Sequence, residues 1–72
     1  MYENFSMATH LGQELETYFM EGVSLWLNGN PSTPGEIVKA CTIEEEGVYM
    51  RDYIHNERGH VEKLQFDLVK NI

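Results

Sequence analysis

Two alternating runs flank a single turn signal in residues 48–69, VYMRDYIHNERGHVEKLQFDLV, and this segment restricts the fold more than any other. Asn56-Glu57-Arg58-Gly59 suits a type I turn with glycine in the left-handed region, a three-residue hairpin loop with a bulge. Folding the runs about that loop pairs Ile54 with Glu62, Asp52 with Leu64 and Met50 with Phe66. Val48, Met50, Ile54, Leu64, Phe66 and Leu68 then share one face, which reads as the core. Tyr49, Arg51, Tyr53, His55, Val61, Lys63, Gln65 and Asp67 share the other. Asp52 is the exception on the core face; because an unpaired buried carboxylate is costly, this register expects it at an edge or bonded to a neighbour. Side chains alternate with period two, so a slip of one residue exchanges the faces of a strand.

Upstream, the pattern changes twice. Met7, Leu11, Leu15 and Tyr18 recur at helical spacing, with Phe19 widening the stripe, Ser6 available as a cap and Gly22 placed to end the helix in the left-handed conformation. Gly12 inside this helix costs about 1 kcal/mol relative to alanine. Residues 1–5 precede the cap, and the sequence leaves open whether they are ordered. Val23, Leu25 and Leu27 then alternate with Ser24 and Trp26 as a strand ending at the turn signal Asn28-Gly29, and Asn30-Pro31 continues as an irregular connection. In PSTPGEIVKACTIEEEG, Thr33 with Glu36 forms a capping box and Pro34 takes the first helical position. Ile37, Val38, Ala40 and Cys41 form an inward stripe, while Lys39, Thr42 and Glu44 face outward. Gly47 is expected to close the element, and Glu44, Glu45 and Glu46 oppose the helix dipole, so the last turn is expected to fray into a loop. The whole chain, 1–72, thus reads as one small α+β domain in the order α-β-α-β-β. Its expected sheet is three-stranded and antiparallel, with the C-terminal hairpin packed by helices.

A chain of 72 residues leaves much of its surface exposed and is only marginally stable. The one cysteine, Cys41, cannot make an intramolecular disulfide, which points to a reducing compartment. The N-terminal residues show no basic start followed by an apolar run, and VSLWL falls far short of the ~20 apolar residues of a membrane span. These features predict a cytoplasmic protein with no membrane association. Twelve acidic against five basic residues give a net charge of −7, which argues against nucleic acid as a partner.

Chemistry-bearing residues are few. Cys41 sits about two turns into its helix on the apolar stripe, beyond the dipole's reach, and reads as core. The N-terminus of that helix lacks the lysine and glycine spacing of a phosphate loop. His55 and His60 flank the hairpin turn, but two ligands fall short of a zinc site, and His10 lies elsewhere. Neither the Glu44–Glu46 run nor Glu14 with Glu16 resembles a divalent-ion loop. No catalytic residue, metal ligand or cofactor is predicted.

The aromatic and basic side chains are more telling. If the first strand joins the hairpin, Trp26 points away from the core toward Tyr49, Arg51, Tyr53 and Lys63, and Trp, Tyr and Arg are enriched in contact hot spots. The sequence therefore predicts a non-enzymatic protein-interaction or regulatory module whose partner is another protein or a second copy in a homodimer, with those five residues as the surface. If helices instead cover both sheet faces, the same residues are ordinary core. A different class of function is an acidic mimic of nucleic acid that blocks a basic protein, resting on Glu14, Glu16, Glu21, Glu36, Glu44, Glu45 and Glu46. A small metal protein or enzyme resting on His55, His60, Asp52 and Cys41 ranks third.

Overall fold

The structure, a computed structural model, describes the backbone of residues 2–45 and 47–70 and, within them, the side chains from residue 10 onward. The elements run α1 (Tyr2–Met20), β1 (Ser24–Leu27), β2 (Asn30–Pro31), α2 (Pro34–Ile43), β3 (Gly47–His55) and β4 (Val61–Lys70). Helix α1 begins at Tyr2, ahead of the start expected at Ser6; Met1 and the side chains of Ser6 and Met7 lie outside the described residues. Its inward stripe is Leu11, Leu15 and Tyr18, with Leu15 fully buried. Phe19 is not part of that stripe, being 49 % exposed. The helix ends as the sequence predicts: Gly22 has φ +89°, the Gly22 N–H donates to Phe19 O at 3.1 Å and the Val23 N–H to Tyr18 O at 3.0 Å. That pair of bonds satisfies carbonyls that the last turn leaves without helical partners.

Asn28 (φ +51°) and Gly29 (φ +84°) are both left-handed, which makes the two-residue turn whose twist matches a hairpin. Leu27 therefore pairs with Asn30 and Trp26 with Pro31, so the expected irregular connection is a short edge strand, β2. In α2, the Thr33 hydroxyl accepts the Glu36 N–H at 3.3 Å and donates to the Glu36 carboxylate at 3.2 Å. The helix stops at Ile43 with Glu44 as an extended C-cap, and Gly47 opens β3 instead of closing α2. Gly47 is needed there because a Cβ would meet the Val69 carbonyl oxygen at 2.4 Å. Glu46 lies outside the described residues.

The sheet has four strands in the order β2-β1-β4-β3 and is mixed, not three-stranded and antiparallel. Strand β1 runs parallel to β4, pairing Leu25 with Leu64 and Leu27 with Phe66. That pairing aligns the inward residues of the two strands, and the intervening β2, α2 and β3 supply the long connection that parallel strands require. The resulting core joins both helices to one sheet face: Leu15, Val23, Leu25, Ile37, Leu64 and Phe66 form one buried cluster.

The hairpin loop is the one the sequence predicts. Gly59 has φ +82°, the Asn56 N–H donates to His60 O at 2.8 Å, and the Asn56 carboxamide accepts the N–H groups of Arg58 and His60. The register beyond it is not. His55 faces Val61 as the loop dictates, but Ile54 then faces Lys63, leaving Glu62 as an extra residue in a β-bulge. Every later pair is shifted by one: Asp52 faces Gln65, Met50 faces Asp67, Arg51 faces Phe66 and Tyr53 faces Leu64. The two faces of β3 are thereby exchanged. Tyr49, Arg51 and Tyr53 lie on the helix-covered side, with Tyr49, Tyr53 and Val61 packed against the core. Val48, Met50, Asp52 and Ile54 lie on the opposite side, where Asp52 is exposed and needs no buried partner.

Candidate interaction surface

The bulge decides what each sheet face carries. With both helices packed on the Leu25–Leu64–Phe66 side, the other face has no covering layer among the described residues. Trp26 and Lys63 are the two of the five sequence-predicted surface residues that lie there, and they touch: Lys63 Nζ sits 4.1 Å from the centroid of the Trp26 ring. The register places them on the same side, since Trp26 pairs with Gln65 and Ser24 with Lys63 in the parallel ladder. A cation over an indole at a half-exposed site contributes about 0.5–1 kcal/mol.

Around that pair the face is more apolar than the sequence reading allowed. Val48 is 60 % exposed, Met50 59 % and Val69 42 %, with Val48 directly opposite Val69. Ile54, beside Lys63, and Gln65 are half-buried there. Asp52 and Asp67 are exposed on the same side, so the strip combines aliphatic groups with two carboxylates and one cation already engaged by Trp26. The sequence did hold a signal for this arrangement. The inward apolar residues of β4 fall at 61, 64, 66 and 68, with Val69 on the other face, and the step of three between Val61 and Leu64 breaks the period of two where the bulge sits.

The other three sequence-predicted residues form part of the helix–sheet packing. Arg51 Nη1 donates to Glu14 Oε1 at 2.9 Å and to the Tyr53 hydroxyl at 3.1 Å, and that hydroxyl donates to Glu14 Oε2 at 3.0 Å. This closed set of bonds ties α1 to β3. The Arg51 guanidinium also lies 5.4 Å from the Phe66 ring centroid, and Tyr53 meets Tyr18 edge-on at 6.2 Å with a 65° interplanar angle. Partial burial pulls the guanidinium down, while its bonds to Tyr53 and Glu14 more than offset that, leaving Arg51 more firmly protonated than usual. Burial, reinforced by Tyr53 and the nearby carboxylates, raises the Tyr18 hydroxyl above its ordinary value. Tyr49 receives an N–H bond from the Asn28 carboxamide at 3.4 Å, and the carboxamide oxygen of Asn28 accepts the Leu68 N–H at 3.0 Å. Asn28 therefore fastens the β1–β2 turn to β4.

The remaining candidates do not converge. Cys41 is half-buried against the core, and burial pushes its thiol up, with Arg51 only partly opposing the shift, so it is a poor nucleophile. His10, His55 and His60 are exposed, and among the described residues no three His, Cys, Asp or Glu side chains come together as a metal-ligand set. Of the acidic residues, Glu14 is bonded to Arg51 and Tyr53, Glu36 belongs to the Thr33 cap, and Glu16, Glu21 and Glu45 are exposed; Glu46 lies outside the described residues. A shallow groove between α1 and α2 is lined by Gly12, Gln13, Glu16, Thr17, Pro34, Gly35 and Val38, with no base and nucleophile side by side. No described helix is long and apolar enough to cross a membrane. Compared with known proteins, the chain matches no family model, no curated protein and no solved structure.

Proposed function

We propose that this protein is a non-enzymatic protein-binding module whose contact surface is the uncovered sheet face centred on Trp26, Lys63, Met50 and Val48. One observation carries the reading: both helices pack on the same side of the sheet, leaving Val48, Met50 and Val69 exposed on the other beside the half-buried Trp26. Exposed apolar strips of this kind mark contacts in small proteins, and a tryptophan already engaged by a cation is an economical anchor, since less rotamer freedom remains to be lost on binding. Asp52 and Asp67 on the same face, and the net charge of −7, favour a partner with a basic rim around an apolar centre. The five-residue surface read from the sequence is replaced in this reading, because Tyr49, Arg51 and Tyr53 already have partners within the fold.

Quantitative capture from the native cell extract tests it, with wild-type protein and a folded Trp26→Ala/Val48→Ser variant compared side by side. Proteins retained by the wild type and lost from the variant support the reading. Identical capture by both refutes it. Capture that is abolished by high salt yet indifferent to the variant instead favours the exposed carboxylates as the contact, the mode of an acidic mimic.

A further inference from the structure

The two edges of the sheet are protected very differently. At one end lies β2, two residues long and containing Pro31, which cannot donate to a further strand. At the other lies β3, nine residues long, with no proline and no lysine. The direction of its main-chain groups follows from β4. Phe66 O accepts the Asn28 N–H at 2.8 Å and the Leu68 N–H donates to Asn28 Oδ1 at 3.0 Å, so Phe66 and Leu68, and by alternation Leu64, turn their main-chain groups toward β1. Their antiparallel partners in β3 are Arg51, Tyr49 and Tyr53. These three pairs are therefore of the non-hydrogen-bonded kind, and Tyr49, Arg51 and Tyr53 turn their N–H and C=O groups to the open edge. No strand lies beyond them among the described residues.

We propose that β3 pairs antiparallel with β3 of a second copy about a two-fold axis centred on Met50, joining the two sheets edge to edge. Charge favours a second copy as the partner and disfavours two of the registers. The chain carries −7, yet Gly47–His55 contains one arginine and one aspartate, so this edge approaches its own copy without the repulsion that the rest of the surface would generate. A two-fold axis normal to the sheet keeps both helical layers on one side, so each residue must face a residue of its own sheet face. Centring on Arg51 would set two guanidiniums opposite each other, and centring on Asp52 two carboxylates; both are unfavourable. Centring on Met50 sets the two Met50 side chains together in a non-hydrogen-bonded pair and places Arg51 of each copy opposite Tyr49 of the other. Gly47–Tyr53 and Tyr49–Arg51, each made twice, then exchange main-chain hydrogen bonds. The exposed strip of Val48, Met50 and Val69 lies beside this edge and continues across the axis.

Val48 and Met50 belong both to this edge and to the partner surface proposed above, whereas Trp26 on β1 lies two strands away, so Trp26→Ala is the change that separates the two contacts. Light scattering of the full chain across a concentration series is expected to show mass rising from 8.4 kDa toward twice that value. Met50→Lys, at a position exposed in the single copy, is expected to keep the unfolding midpoint while weakening the dimer about tenfold or more. Trp26→Ala is expected to leave the dimer intact. In a Cys41→Ser background, Met50→Cys is expected to give a covalent dimer under mild oxidation, because non-hydrogen-bonded partners stand at ~4.5 Å between Cα atoms, within disulfide reach. Asp52→Cys in the same background is expected to cross-link far less. A monomer at every concentration overturns the proposal. So does a dimer indifferent to Met50→Lys, one lost with Trp26→Ala, or one that cross-links better through residue 52.

Discussion

Tyr53 and Met50, three positions apart in one strand, lie on opposite faces by alternation, and the bulge at Glu62 decides which of them faces the helices, so truncating them measures which face is core. Tyr53 packs on the buried cluster, meets Tyr18 at 6.2 Å and bonds to Glu14 and Arg51. Removing an aromatic ring from a fully packed site costs about 3–5 kcal/mol. Tyr53 is only partly buried, so about 2–4 kcal/mol is the appropriate figure for Tyr53→Ala. Met50 is 59 % exposed, and truncation at such a site costs about 0.5 kcal/mol or less. At 0.05–0.15 kcal/mol per residue, a chain of 72 residues has roughly 4–11 kcal/mol in total, so the first loss is a large share of it. Tyr53→Phe isolates the hydroxyl. Its bonds lie in a network whose charged members are 38 % and 36 % exposed, where solvent screening limits the loss to about 1 kcal/mol. Urea unfolding followed by the fluorescence of the single tryptophan, at concentrations low enough to exclude association, gives all three values. The expected order of cost is Tyr53→Ala, then Tyr53→Phe, then Met50→Ala. A Met50→Ala cost equal to or above that of Tyr53→Ala refutes the assignment of faces.

Three further outcomes follow from local geometry. Gly12→Ala is expected to stabilise the protein by about 0.5–1 kcal/mol, because the added methyl would meet Val38 Cγ2 at an ordinary 3.7 Å while the unfolded chain loses freedom; a fall in melting temperature contradicts this. Asn28→Ala is expected to cost about 1–3 kcal/mol, since it orphans the Leu68 N–H and places alanine at φ +51°, and Asn28→Asp, which keeps the acceptor, is expected to cost less; urea midpoints compare the two. Burial raises both Cys41, above 9.0, and Tyr18, above 10.0, so the unfolded chain releases these protons first. The stability held by the neutral forms is intact below those ordinary values and declines as pH rises through and beyond them. A urea midpoint that falls above about pH 9, with Cys41→Ser removing the earlier part of the fall, is the expected profile; a midpoint that rises there contradicts it.

Local signals in the chain were legible because each rests on one or two residues with few alternatives. Gly22, Asn28-Gly29 and Gly59 all take the left-handed conformations that their positions imply, and Thr33 caps α2 through Glu36. The Leu11–Leu15–Tyr18 stripe packs inward, and Trp26 points away from Leu25 as strand alternation requires. What failed was non-local. The parallel match of β1 to β4 joins residues about forty positions apart and leaves no mark on either strand beyond aligned leucines. β2 was missed because two residues, one of them proline, carry no periodicity. The bulge had the largest consequence: one unpaired residue, Glu62, moved three of five candidate surface residues beneath the helices and exposed Val48 and Met50 in their place. Val48, Met50 and Ile54 make three of the four residues on one face of β3 apolar, against Tyr49 and Tyr53 among the five on the other, so hydrophobicity alone favoured the wrong face. The broken spacing from Val61 to Leu64 could have corrected it.

The most direct test of the exposed face is the set of Hα–Hα contacts between β3 and β4, observed by NMR on the dilute protein. Non-hydrogen-bonded antiparallel partners bring their Cα atoms to ~4.5 Å, close enough for strong contacts between their Hα atoms. Strong contacts are expected for Arg51 with Phe66, Tyr53 with Leu64 and Tyr49 with Leu68. Contacts of Met50 with Phe66 and Asp52 with Leu64 instead would return Val48, Met50 and Ile54 to the core and remove the proposed binding face.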